Sequence, residues 1–235
     1  MMLEVQGIDT YYGLSHVLHE VSLRVNEGEA IAFLGRNGAG KTTTLKTVMA
    51  LLAPQNGKIL FQGEDITHLP PHQVLRRGIG YIPEERRIFT NLTVAENLKM
   101  GRLVVDKGRN MKPFLDKVYS MFPKLEERRN FLGGSLSGGE QQMLTIARGL
   151  AAEPKLLLVD EPTEGLMPEL VERIRDSLVE IQKDGVAIVL VEQNTKLALG
   201  ITQRAYLIEK GQIRYEGQSG DLAEDKETRL KYLGV

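Results

Sequence analysis

Lys41 and Thr42 close a short stretch, Gly35-Arg36-Asn37-Gly38-Ala39-Gly40, and much further along the chain Asp160 and Glu161 stand side by side. The first group has the chemistry to hold a polyphosphate. Glycines let backbone N–H groups approach an anion that larger side chains would fend off, Lys41 offers a point charge to the β and γ phosphates, and the Thr42 hydroxyl suits Mg²⁺. Thr43 opens a helix predicted over residues 43–49, whose N-terminal dipole favours the same anion. Gly35, Arg36, Asn37, Gly38, Ala39, Gly40, Lys41, Thr42 and Thr43 are therefore the predicted cradle of a nucleotide.

The acidic pair follows Leu156-Leu157-Leu158-Val159 and precedes Pro162. A run this apolar reads as a buried parallel strand, and α/β sheets bind ligands at the carboxyl ends of such strands. The run 30–34 (AIAFL), directly ahead of the cradle, reads in the same way. Asp160 is expected to hold Mg²⁺, and Glu161 to orient and polarise water for in-line attack on the γ-phosphate. A third group, Leu136-Ser137-Gly138-Gly139-Glu140, has Ser137 as the predicted helix N-cap, with Gly138 and Gly139 exposing backbone donors ahead of a helix over 140–150. Tyr12, just before Gly13, is the candidate for stacking on an adenine, with Tyr11 second.

The positioning elements can be sketched from pattern. Residues 3–8, 21–25 and 57–61 read as strands of a small antiparallel part, the first two by their alternation of apolar with polar. Residues 93–131 read as helices broken at Gly101, Gly108 and Pro113; 186–191 reads as a further buried strand; 205–215 reads as a hairpin turning at Gly211; and the tail after Asp221 reads as one short helix. The 235 residues suffice for one α/β domain, and 42% hydrophobic content is ordinary for a water-soluble chain. With 30 basic against 31 acidic residues the net charge is −1, which excludes an electrostatic footprint for nucleic acid. The absence of cysteine removes disulfides and thiolate metal sites. No apolar run reaches the roughly 20 residues that span a bilayer, and the N-terminus has no signal-peptide pattern, so a cytoplasmic location is expected.

Taken together and in this order, the three motifs resemble those of the nucleotide-binding subunits of ATP-binding cassette (ABC) transporters, with Leu136-Ser137-Gly138-Gly139-Glu140 similar to the ABC signature. The resemblance implies a P-loop NTPase (RecA-like) α/β core with an antiparallel β subdomain and an inserted helical subdomain. It implies a single domain over 3–235, with the core and β subdomain at 3–82 and 136–235 and the Q-loop and helical subdomain at about 83–135. ATP and Mg²⁺ are the implied ligands. In this family the signature helix meets the γ-phosphate held by another subunit, so a homodimer or a heterodimer with a paralogous ATPase is implied, with Ser137, Gly138 and Gly139 completing the partner's site. Integral-membrane permease subunits would dock near residues 84–100, and a periplasmic or extracellular substrate-binding protein would act through them, with this chain peripheral at the inner face of the membrane.

Aligned through Ile88-Phe89-Thr90-Asn91-Leu92-Thr93-Val94-Ala95-Glu96-Asn97, the family's Q-loop glutamine falls on Glu84, an implied Mg²⁺ ligand and link to the helical subdomain, and its switch histidine falls on Gln193. Pro-Glu-x-Arg-Arg, Gly-Leu-x-Pro, Val-Glu-Gln-Asn and Tyr232-Leu233-Gly234 resemble the LivF-type ATP-binding subunit of branched-chain amino-acid importers, while Glu85 and Glu164 depart from that pattern. Urea or lipopolysaccharide transport systems, and soluble ABC ATPases of assembly machines, are the other readings.

Gln193 can donate a hydrogen bond to a γ-phosphate but does not titrate. Hydrolysis should therefore lack any contribution from this position near the ordinary histidine pKa of about 6.5. Profiles of kcat against pH for the wild type and Gln193→Leu should differ in height and not in shape; a limb in that range that vanishes only in the variant would refute the alignment.

Overall fold

Strands β3 (Ala30–Leu34), β7 (Leu156–Asp160) and β8 (Ala187–Val191) are buried at every position. Continuous apolar runs of this kind are stable only with both sheet faces covered. In the computed structural model, which describes residues 1–103 and 110–234, they form the middle of a six-stranded sheet. Its order is β10-β9-β3-β8-β7-β6, with β6 at Ile79–Ile82, β9 at Arg204–Glu209 and β10 at Gln212–Gln218. All its strands run parallel except β10, which returns beside β9 through a turn at Lys210 and Gly211.

Alternation along these strands divides the apolar side chains between two cores. Ala32, Leu34, Leu157, Val159, Ile188 and Leu190 point into one, with the helices. Ile31, Phe33, Leu156, Leu158, Val189 and Val191 point into the other, shared with helix α1 (Lys41–Val48) and a second, antiparallel sheet. That sheet has the order β2-β1-β4-β5, from β1 (Leu3–Tyr12), β2 (Ser15–Val25), β4 (Asn56–Phe61) and β5 (Glu64–Asp65). Between β5 and β6 lies α2 (Pro71–Arg77).

The helical side comprises α3 (Val94–Arg102), α4 (Lys112–Met121), α5 (Pro123–Glu127), α6 (Gly138–Leu150), α7 (Pro168–Lys183) and α8 (Thr195–Ile201). Here several expectations are corrected. Gly101 lies inside α3 and does not break it, and Pro113 sits in the first turn of α4, where its missing N–H costs nothing. Gly108 lies outside the described residues. Helix α6 starts at Gly138, two residues before the expected Glu140. The tail forms two helices, α9 (Ser219–Glu224) and α10 (Lys226–Tyr232), because the Asp225 carboxylate takes the Thr228 N–H and starts a new helix where a single one was expected. Among the described residues no helix is long and apolar enough to cross a membrane.

Leu158, fully buried in β7 between Tyr81 of β6 and Val189 of β8, tests how far the site depends on this sheet. Leu158→Ala should cost about 2–5 kcal/mol. Urea unfolding should show a lower midpoint at an unchanged slope; a loss below about 1 kcal/mol would mean that the strand is not a packed core element.

Candidate nucleotide site

The chain leaves β3 at Leu34, makes the glycine-bearing turn and enters α1 at Lys41. Gly40 has φ 115°, a left-handed conformation that other residues rarely adopt, and it stands at the N-cap of α1, ahead of the helix's first free N–H groups. Lys41, only 5% exposed, donates to the carbonyls of Gly35 (2.9 Å) and Arg36 (3.3 Å). Its Nζ also lies 3.3 Å from Oε1 of Glu161. The β9–β10 turn braces the cradle from behind, with the Gly211 N–H donating to the Ala39 carbonyl at 2.8 Å.

Asp160 ends β7 directly beneath Thr42. The Thr42 hydroxyl donates to one carboxylate oxygen at 3.1 Å, and the Tyr81 hydroxyl donates to the other at 3.2 Å. Burial pushes the Asp160 carboxyl above its ordinary range, with the charge of Glu161 adding to the rise and the two hydroxyl donors opposing it. Burial and the same carboxylate also raise the Tyr81 phenol. Glu161 has φ 44°, a left-handed conformation rare for a side chain of this size, and its N–H donates to the Val191 carbonyl at the end of β8 (2.9 Å). This turn swings its carboxylate over the cradle, where the Gln193 amide donates to Oε2 at 2.5 Å.

Asn37, Gly38, Gly40, Lys41, Thr42, Thr43, Glu84, Glu161 and Gln193 thus line one polar cavity of about 350 Å³, together with Val17 and Glu164. That volume falls within the range of small-molecule sites. Burial raises the Glu164 carboxyl, as do the neighbouring charges of Glu161 and Glu84. Gly35 and Arg36 lie behind the turn in an adjoining cleft with Leu233. Tyr12 stands 46% exposed at the end of β1 and does not line the cavity, while Tyr11 stacks on His16 with ring centres 4.1 Å apart. Ser137, Gly138 and Gly139 also stand apart from the cavity. Ser137 caps α6 reciprocally: its hydroxyl accepts from the Glu140 N–H (3.3 Å), and its own N–H donates to the Glu140 carboxylate (2.8 Å). A roomier cavity of about 540 Å³, lined mainly by apolar groups such as Phe114, Val118 and Leu150, contains none of the predicted site residues and lacks the cradle's converging donors.

Val17 and Glu164 on the cavity wall were not among the predicted site residues, and neither were two supporting groups outside it. Tyr81 is one; the other is Glu192, 3% exposed, whose carboxylate accepts from Thr163 N–H (3.1 Å), Thr163 Oγ1 (2.6 Å), Gln193 N–H (3.1 Å) and Asn194 N–H (3.2 Å). Burial raises its pKa against the pull of these bonds. An acid directly after an apolar strand was the available signal, the same one that marks Asp160.

A phosphate-binding turn, an acidic strand end and a capped signature helix on this sheet order define an ATPase of the P-loop class. Residues 18–164 match the family described as ABC transporter, and the chain belongs to that family as the ATP-hydrolysing component that energises a transporter. It is similar to the high-affinity branched-chain amino acid transport ATP-binding protein BraG of Pseudomonas aeruginosa, 42% identical over 99% of this chain and 100% of that one. The lipopolysaccharide export system ATP-binding protein LptB of Haemophilus influenzae is 37% identical over 99% of this chain and 97% of the relative. A dimeric bacterial ABC transporter cassette superposes with a TM-score of 0.84 at 25% identity, over 93% of this chain and 99% of that one.

A carboxyl whose pKa rises on folding favours the folded state at acid pH and weighs against it as pH rises through the folded value. Asp160→Asn keeps the shape and removes the buried charge, so the protein without nucleotide should melt about 2–4 °C higher at pH 7, corresponding to about 1 kcal/mol. The gain should shrink at pH 5. Calorimetry that finds no rise at pH 7 would mean that the bonds from Thr42 and Tyr81 outweigh the burial.

Proposed function

We propose that this chain drives a membrane importer of branched-chain amino acids by hydrolysing ATP between two cassettes. The single observation that carries the substrate class is the 42% identity to BraG along essentially the whole of both chains, against 37% to the lipopolysaccharide export relative. The resemblance of Val191-Glu192-Gln193-Asn194 and Tyr232-Leu233-Gly234 to the LivF type supports the same reading.

In this reading the loop amides of residues 35–40 and the Lys41 ammonium bind the β and γ phosphates, and the adenine stacks on Tyr12, whose ring stands exposed on the hairpin that also supplies Val17 to the cavity wall. Thr42 and Asp160 fit Mg²⁺: they are hard oxygen donors 3.1 Å apart, Thr42 on the cavity wall and Asp160 buried behind it, with Glu84 on the wall as a further carboxylate. The ion, when bound, neutralises charge that develops on the phosphates. Glu161 orients water in line with the γ-phosphate and accepts its proton, while Gln193 holds that carboxylate through the 2.5 Å bond. The N-terminus of α6, at Ser137, Gly138 and Gly139, serves the nucleotide of a facing cassette, either a second copy or a paralogue. Glu84 opens the segment to the helical side, here assigned to residues about 83–135, and permease subunits dock near 84–100. The chain then sits peripherally at the inner membrane face, and an external binding protein signals through the permease.

Glu161→Gln keeps the shape and removes the base. Turnover should fall by about 10²–10⁴, and ATP with Mg²⁺ should trap a dimer visible by gel filtration. Wild-type turnover in this variant would reject Glu161 as the base. For the substrate, leucine with its binding protein should stimulate the ATPase of the reconstituted transporter; stimulation by no branched-chain amino acid would reject the substrate class and leave the ATPase intact.

A further inference from the structure

Glu192 is a buried carboxylate outside the polar cavity, at the edge of the adjoining cleft that Gly35, Arg36 and Gln193 also line. Its two oxygens divide their work. Oε1 accepts from the N–H (3.1 Å) and the hydroxyl (2.6 Å) of Thr163, in the loop that follows Glu161. Oε2 accepts from the N–H groups of Gln193 (3.1 Å) and Asn194 (3.2 Å), in the loop that follows β8.

The second loop is tied down on its far side as well. The Gln193 carbonyl accepts from the Thr195 N–H at 2.8 Å, and the Asn194 side chain accepts from the Leu197 N–H at 3.1 Å, which caps α8. Gln193 is therefore held by its backbone at both ends, and its amide reaches Oε2 of Glu161 at 2.5 Å. Thr163 stands two residues after Glu161, so the same carboxylate grips the strand-end loop on which Glu161 is mounted. Charged acceptors make stronger hydrogen bonds than neutral ones, and four donors explain why a carboxylate tolerates this burial.

We propose that Glu192 is a positioning residue for hydrolysis: it clamps the loops carrying Glu161 and Gln193 so that the Gln193 amide meets the Glu161 carboxylate. This rests on the roles given above to Glu161 and Gln193. Glu192→Gln retains one acceptor oxygen but turns an NH₂ group toward the N–H donors of one loop, so one half of the clamp is lost while the volume is kept.

The test measures kcat and the ATP dissociation constant for the wild type, Glu192→Gln, Gln193→Ala and the double variant, with thermal unfolding of each. Glu192→Gln should lower kcat on the order of tenfold to a hundredfold, with ATP affinity within about twofold because the hydrogen bonds of Glu192 go to Thr163, Gln193 and Asn194 and not to the cradle. The double variant should be no slower than Gln193→Ala alone, since Glu192 acts through Gln193. Losses that multiply, or a loss of kcat with a matching loss of ATP affinity, would overturn the proposal in favour of general destabilisation. Gln193→Ala with wild-type turnover would overturn the role of Gln193 and this inference with it; a slow Gln193→Ala beside a normal Glu192→Gln would overturn the inference alone. Thr163→Val, which removes only the 2.6 Å bond, repeats the cycle should Glu192→Gln fold poorly; it should be slower than wild type in the same non-additive way.

Discussion

A lysine ammonium and a glutamate carboxylate lie 3.3 Å apart with side-chain exposures of 5% and 8%. Taking two such charges out of water is costly unless every remaining donor and acceptor is met. Here they are met by the carbonyls of Gly35 and Arg36 on one side and the Gln193 amide on the other. The sheet order makes this possible. Strand β8 lies between β3 and β7, all parallel, so the three loops leaving their carboxyl ends bring Lys41, Gln193 and Glu161 to one point. A polyphosphate in the cradle would compete with Glu161 for the Lys41 donors.

The loop after β6 connects this point to the helices. Beyond Glu84 the backbone passes through two left-handed residues, Arg86 (φ 60°) and Arg87 (φ 43°). Their carbonyls are held by helix α6, through the Thr145 hydroxyl at 2.8 Å and the Arg148 guanidinium at 2.5 Å. Arg148 also lies over the Phe89 ring, 5.1 Å from its centre, and the buried Asn97 amide bonds both backbone groups of Phe89. One segment therefore joins the cavity wall at Glu84, the exposed face around Phe89 and the helix that Ser137 opens.

The cradle, the acidic strand end and the capped signature helix were legible because each depends on backbone chemistry that only certain residues permit: glycines beside an anion, an apolar run with both faces covered, a serine at a helix start. Tyr81 and Glu192 were not. Their partners, Asp160 in the first case and Thr163, Gln193 and Asn194 in the second, become neighbours only once β6, β7 and β8 lie side by side. The helical side was read least well. Pattern alone reads its glycine and proline as breaks, whereas Pro113 starts a helix and Gly101 continues one, and only the packing of α3 on α6 reveals why a glycine stands there.

That packing fixes how the helical side can respond to force. A methyl group at Gly101 would lie 2.6 Å from the Arg148 carbonyl and 2.9 Å from the Ala151 side chain, so the two helices touch almost backbone to backbone. Close-packed contacts of this kind have low compressibility and switch between discrete arrangements without flexing continuously. A displacement of the face around Phe89, which Asn97 ties to α3 and Arg148 to α6, would therefore move the two helices together as one body.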